Sequence, residues 1–232
     1  MCIISHKYKF IFIRVRKTAS TSMHVALSKF CGPLDIIAHI GDKDQLESKP
    51  EQNNWKYLPS RNAVFYNHIP AFRIREMIAE QDKDIWDNYF KFCFERNPWD
   101  KVISQYYFQY QTSTYKLSRR GITEPQDGMS LNKFIMHGRL HHFSEWRVYT
   151  EEDKNDDTII VDKVFKYEEM NEAFNFLKEK LNLPCNIMMP EKRFKGWTRK
   201  EHGHYRDILT NEERKRIADV FHKEIKEFKY EY

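Results

Sequence analysis

The chain has 232 residues, 41% hydrophobic and 15% aromatic, which fits one α/β domain with a full core and excludes a disordered chain. Charged residues of both signs are interspersed, and a net charge of +5 admits anionic ligands but falls short of what nucleic-acid binding needs. No apolar run approaches the ~20 residues of a membrane span, and Cys2, Cys31, Cys93 and Cys185 form no Cys-x-x-Cys pair, so neither structural zinc nor a disulfide framework is expected.

The amino terminus runs almost directly into a first strand, leaving no room for a cleavable signal, and no Asn-x-Ser/Thr acceptor occurs; a cytoplasmic protein is expected. That strand is Lys9-Phe10-Ile11-Phe12-Ile13, followed by the cationic, hydroxyl-rich Arg14-Val15-Arg16-Lys17-Thr18-Ala19-Ser20-Thr21-Ser22. Met23, Ala26, Leu27 and Phe30 then fall at helical spacing. Strand, tight loop and helix in that order present backbone N–H groups and the positive end of the helix dipole to whatever lies in front, a cradle for phosphate. A hydroxyl-rich strand-to-helix turn with no ligand is the alternative. The loop lacks the glycines of Gly-x-x-x-x-Gly-Lys-Ser/Thr, which weakens a nucleoside triphosphatase or kinase reading.

Cys31-Gly32-Pro33 stops the first helix, and residues 39–60 read as an irregular surface segment. Asn62 to Pro70 reads as a short strand ending in His68, and Phe72, Ile74, Met77 and Ile78 as a helix that ends near residues 81–84. Phe90, Phe92 and Phe94 alternate with polar residues as a strand, with Cys93 a small core residue; Asn97 caps and Pro98 starts the next helix. Arg96 at the strand end and Ser104 two turns into that helix are placed to grip one phosphate between guanidinium and hydroxyl. A capped helix with a surface salt bridge is the other reading of this block.

Residues 112–130 read as a loop over a binding face, and Asn132 to His142 as a short helix whose His137 and His141 lack a third metal ligand. Trp146-Arg147-Val148-Tyr149 and Thr158-Ile159-Ile160-Val161 read as a hairpin with a solvated acidic tip at Glu151 to Asp157. Val164 to Glu168 is a further strand, followed by a helix carrying Met170, Phe174, Leu177 and Leu181. Lys192 to Arg206 is basic and aromatic, and Thr210-Asn211-Glu212-Glu213 opens a last helix with Ile217, Phe221, Ile225 and Phe228 on one face. Repeated strand-to-helix units predict an α/β fold, a P-loop-like parallel sheet flanked by helices, in a single domain over 1–232.

The run Arg14 to Ser22 resembles the phosphosulfate loop of sulfotransferases that use 3′-phosphoadenosine 5′-phosphosulfate (PAPS), and among them the uronyl 2-O-sulfotransferases, with Arg16 where those enzymes carry proline. Arg96-Asn97-Pro98 with Ser104 is similar to the family's second motif, which holds the 3′-phosphate. The resemblance implies a sulfotransferase fold, PAPS as donor with 3′-phosphoadenosine 5′-phosphate (PAP) as product, no metal, and a hydroxylated acceptor, expected to be a saccharide. It implies donor contacts from Arg16, Lys17, Thr18, Ala19, Ser20, Thr21, Ser22, Arg96 and Ser104. It adds Arg193, Lys195, Gly196, Trp197 and Thr198 from a basic loop that closes over the nucleotide in related enzymes; a basic linker with no ligand role is the alternative there. Lys17 suits stabilisation of the leaving phosphate. Asn67-His68-Ile69-Pro70 looks like the family's His-Gly-His-Val segment with one histidine missing, which makes His68 the general base. A P-loop kinase for a small molecule and a polyanion-binding domain are the competing readings.

Overall fold

The computed structural model describes residues 2–38, 68–80, 82–119, 130–153, 155–191 and 203–232. In chain order these form β1 (Cys2–Ser5), β2 (Phe10–Ile13), α1 (Ser20–Ser28), β3 (Ile36–Ile37), α2 (Ala71–Ala79), α3 (Lys83–Asn88), β4 (Phe90–Glu95) and α4 (Pro98–Arg119). Then follow α5 (Leu131–His137), a 3-10 turn (Leu140–Phe143), α6 (Trp146–Tyr149), β5 (Lys163–Lys166), a 3-10 turn (Tyr167–Glu169) and α7 (Met170–Lys180). The chain closes with α8 (Tyr205–Ile208), α9 (Asn211–Val220) and α10 (His222–Phe228). They fall into two compact units, one of Met1–Glu95 with Glu145–Phe194, the other of Arg96–Ser144 with Lys195–Tyr232.

The first unit is built on a five-stranded sheet in the order β3-β1-β2-β4-β5. β2, β4 and β5 run parallel, in the register Phe12↔Phe92 and Phe94↔Phe165, and β1 and β3 add an antiparallel margin. This is the expected α/β arrangement of a sheet with flanking helices. Strand alternation sorts the side chains: Phe10, Phe12, Phe92, Phe94 and Phe165 share one buried cluster with Met23, Ala26 and Leu27 of α1 and Ala173 and Leu177 of α7. Ring centroids of Phe12 and Phe92 lie 5.4 Å apart and those of Phe94 and Phe165 5.3 Å. Each such ring stabilises the fold by about 1.5–3 kcal/mol through burial, and the interlock fixes where β2 and β4 end.

Asp35 braces the same unit. Its buried carboxylate accepts from the Ser5 hydroxyl and from the backbone N–H groups of His6, Lys7 and Gly32, at 2.7 to 3.1 Å. These bonds tie the turn after β1 to the chain leaving α1, so the helix that starts at the loop is held at its far end as well.

In the second unit, Trp99, Val102 and Ile103 of α4 pack with Phe134 and Ile135 of α5 and Ile217 of α9. Thr210 makes the expected capping box with Glu213, whose backbone N–H donates to the Thr210 hydroxyl while its carboxylate accepts from the Thr210 N–H at 2.8 Å.

Several sequence expectations change. β1 is a strand of its own, where the sequence suggested only a lead-in to β2. Residues 112–119 continue α4 and are not loop, and residues 120–129 lie outside the described residues. Trp146–Tyr149 is a helical turn and not a strand, although an antiparallel bridge between Thr150 and Ile159 does bring the segment's two arms together. The acidic run is not merely solvated: Arg75 holds Glu151 through its two terminal guanidinium nitrogens, Nη1 and Nη2, at 2.8 and 2.6 Å, and Arg147 pairs with Asp157. The last helix is divided, since Phe221 leaves helical geometry between α9 and α10. The expected surface segment 39–60 and strand residues 62–67 lie outside the described residues.

Candidate active site

The loop from Arg14 to Ala19 joins the end of β2 to α1. It makes its turn without glycine: Lys17 and Ala19 both take left-handed backbone conformations, at φ 64° and 53°. His68, at φ 57°, shares this conformation, as do Lys9 and Asn182 away from the loop. A left-handed residue bearing a β carbon costs about 1–2 kcal/mol, and such conformations gather where a site demands them. Left-handed residues in such a turn are the backbone from which anion-binding nests of N–H groups are built. Ala19 begins α1 with no side-chain cap, and no acidic residue lies in the first turn. The first N–H groups of α1, at Ser20, Thr21 and Ser22, have no intrahelical acceptor and lie at the positive end of the helix dipole, an arrangement that suits an anion.

Side chains brace this cradle. The Arg14 guanidinium, only 3% exposed, donates through Nη2 to the Thr21 hydroxyl at 2.8 Å. The Thr18 hydroxyl donates to the Val15 carbonyl at 3.0 Å, which commits its hydrogen to the loop. Glu145 accepts from the Arg16 N–H at 3.1 Å and pairs with the Arg16 guanidinium at 3.4 Å. That contact answers the departure from proline at position 16: the chain is stiffened by a buried carboxylate instead of a ring.

His68 is brought to this loop from 54 residues away. Its Nδ1 lies 3.0 Å from the Arg14 carbonyl oxygen. A carbonyl only accepts, so Nδ1 carries the hydrogen and Nε2 keeps its lone pair. Burial is the main cause that pushes the His68 pKa down to about 3; the bond to the Arg14 carbonyl works against it, and the cationic charges of Arg14 and Arg16 add to it. His68 is thus neutral at physiological pH, with one nitrogen ready to take a proton. His24, buried in α1, is held well below the usual imidazole range by burial first and then by Arg14.

A glycine-free loop next to a neutral imidazole thus lies at the carboxyl end of β2, the central strand of the sheet, and the sulfotransferase family matches residues 1–231. The chain belongs to the sulfotransferase family. Its members transfer sulfuryl groups and generally use PAPS as donor. An uncharacterized protein of Archaeoglobus fulgidus is 31% identical over 116 residues, 50% of this chain and 84% of that one. No solved structure matches.

In this sulfotransferase-family chain the second motif lies in the second unit. Arg96 lies two residues before α4 and its guanidinium binds Asp100 through Nε, at 2.8 Å, and through Nη2. Asn97 caps α4 as expected, its side-chain oxygen accepting from the Trp99 N–H at 3.1 Å. Ser104 is half-buried, two turns into α4. Arg193, Lys195, Gly196, Trp197 and Thr198 lie outside the described residues. An open cavity of about 700 Å³ lies at the opposite edge of the first unit's sheet, where β2 and β4 begin, lined by Lys9, Phe90, Lys91 and Lys180 among others. It shares no residue with the loop.

Arg14 and Glu145 were missed as site residues. Arg14 opens the cationic run but its sequence position assigns it no role, and Glu145 is far away in sequence; only the fold joins them to the loop.

Proposed function

We propose that this chain is a PAPS-dependent sulfotransferase in which His68 is the general base and Lys17 stabilises the charge that grows on the leaving phosphate. The observation that carries the reading is the hydrogen bond from His68 Nδ1 to the carbonyl of Arg14, which seats a neutral imidazole beside the phosphate loop. PAPS supplies the activated sulfuryl group. The N–H groups and hydroxyls of residues 17–22 hold its 5′-phosphosulfate, and Arg96 with Ser104 receives the 3′-phosphate. Arg193, Lys195, Gly196, Trp197 and Thr198 complete the nucleotide contacts.

His68 Nε2 accepts the proton of the acceptor hydroxyl as that oxygen attacks. Buried beside two cations it is a weak base, but the negative charge of a bound donor offsets Arg14 and Arg16 and raises its proton affinity. Base strength thus arrives together with the donor. Lys17 acts late, on the bridging oxygen, where a compact ammonium on a flexible stem follows the charge. The likeness of the loop to uronyl 2-O-sulfotransferases supports a saccharide hydroxyl as acceptor.

Calorimetry with PAP in the absence of magnesium tests the reading. Tight binding is expected, and His68→Ala should keep it while turnover with labelled PAPS falls by about 10²–10⁴-fold. A chain that binds only magnesium-ATP, or a His68→Ala variant with most of its turnover, would defeat it.

A further inference from the structure

We infer that Arg14 is a positioning residue that couples the phosphate loop to the base, presetting the Thr21 hydroxyl as a donor through its guanidinium and the His68 tautomer through its carbonyl. The inference rests on the proposed PAPS site and extends it to a residue that touches neither phosphate nor acceptor.

The guanidinium has no acceptor capacity, so the 2.8 Å contact to Thr21 runs one way: Nη2 donates and Oγ1 accepts. The hydroxyl hydrogen of Thr21 must then point elsewhere, and among the described residues it meets no acceptor. Thr21 is itself buried, in the first turn of α1, where the backbone N–H groups already favour an anion. A buried hydroxyl fixed as donor and lacking an acceptor complements an anionic oxygen and rejects a cation or a hydrogen-bond donor.

The other end of the same residue faces His68. The Arg14 carbonyl accepts from Nδ1 at 3.0 Å, which leaves Nε2 as the proton acceptor. Because the side chain is buried and tied to α1, the peptide that carries this carbonyl is held as well. A shift of α1 or of the loop reaches His68 through one residue.

The test compares wild type, Thr21→Val, Arg14→Lys and the double variant by calorimetry with PAP, and reads the His68 tautomer from its ring nitrogen shifts. Lysine keeps the charge but is a bond shorter and loses the fork. Each single variant should weaken PAP by about 10-fold, the loss of one charge-assisted bond, and the double variant should be no weaker than either. Arg14→Lys should also turn the single Nδ1–H tautomer of His68 into a mixture. Losses that multiply, full rescue of PAP affinity by lysine, or an unchanged single tautomer in Arg14→Lys would overturn the inference. If wild type itself does not bind PAP, the proposed site fails and the inference falls with it; if wild type binds and the losses multiply, only the role of Arg14 fails.

Discussion

Replacing His68 by asparagine should make the protein markedly less sensitive to acid. Asparagine tolerates the left-handed backbone at this position, and its side-chain amide can still donate to the Arg14 carbonyl, so the change removes the titrating group with little else. In the folded chain His68 takes a proton only near pH 3, against about 6.5 when exposed. Between those values the unfolded chain binds the extra proton, so stability is fully present above about pH 6.5 and is lost as pH falls toward 3. The slope approaches about 1.4 kcal/mol per pH unit, which amounts to roughly 2 kcal/mol between pH 6.5 and 4.5. His24 and His6, whose pKa values are also lowered by burial, contribute equally to both proteins and cancel in the comparison. Urea unfolding of wild type and His68→Asn across this range measures the difference directly. Parallel stability curves would show that His68 is not buried as a neutral imidazole, and the argument for Nε2 as a poised base would lose its footing.

Lys17→Met should lower kcat by about 10²–10³-fold while PAP affinity changes far less, because the ammonium acts on charge that exists only in the transition state; equal losses in both, from kinetics and calorimetry, would make Lys17 a simple binding residue. Arg96→Ala should weaken PAP by about 10- to 100-fold and leave adenosine 5′-phosphosulfate, which has no 3′-phosphate, nearly unchanged in the same titration; matching losses would remove Arg96 from the 3′-phosphate. Thr210→Ala should cost about 1 kcal/mol in a denaturant melt by breaking the capping box that opens α9, and no measurable change would mean that the cap does not contribute.

Much of the candidate site was legible where chemistry and periodicity coincide in one short stretch. The passage from Phe10-Ile11-Phe12-Ile13 to Ser20-Thr21-Ser22 announces a strand, an anion cradle and a helix, because apolar alternation gives way to hydroxyls and then to helical spacing. Asn97-Pro98 and Thr210 mark helix starts through capping that needs no tertiary partner. What stayed hidden depends on the fold. Trp146-Arg147-Val148-Tyr149 has the composition of a strand, yet it forms a helical turn beside Glu145, which the Arg16 loop engages. The contact of Arg14 with both Thr21 and His68 joins residues seven and 54 positions away, and no local pattern announces it. Cys2–Ser5 escaped notice because so short a run, Cys2-Ile3-Ile4 and a serine, close to another apolar run reads as one strand's approach and not as a partner that folds back on it.

The absence of glycine from the cradle has a consequence for how a nucleotide would be received. Glycine loops can wander among many shapes and must be frozen by their guest. Lys17 and Ala19 carry β carbons into a corner of conformational space with few neighbouring alternatives, so their shape is settled while the protein folds. Recognition of a phosphorylated guest should then resemble a key meeting a finished lock, with a small entropic penalty on arrival and little rearrangement on departure.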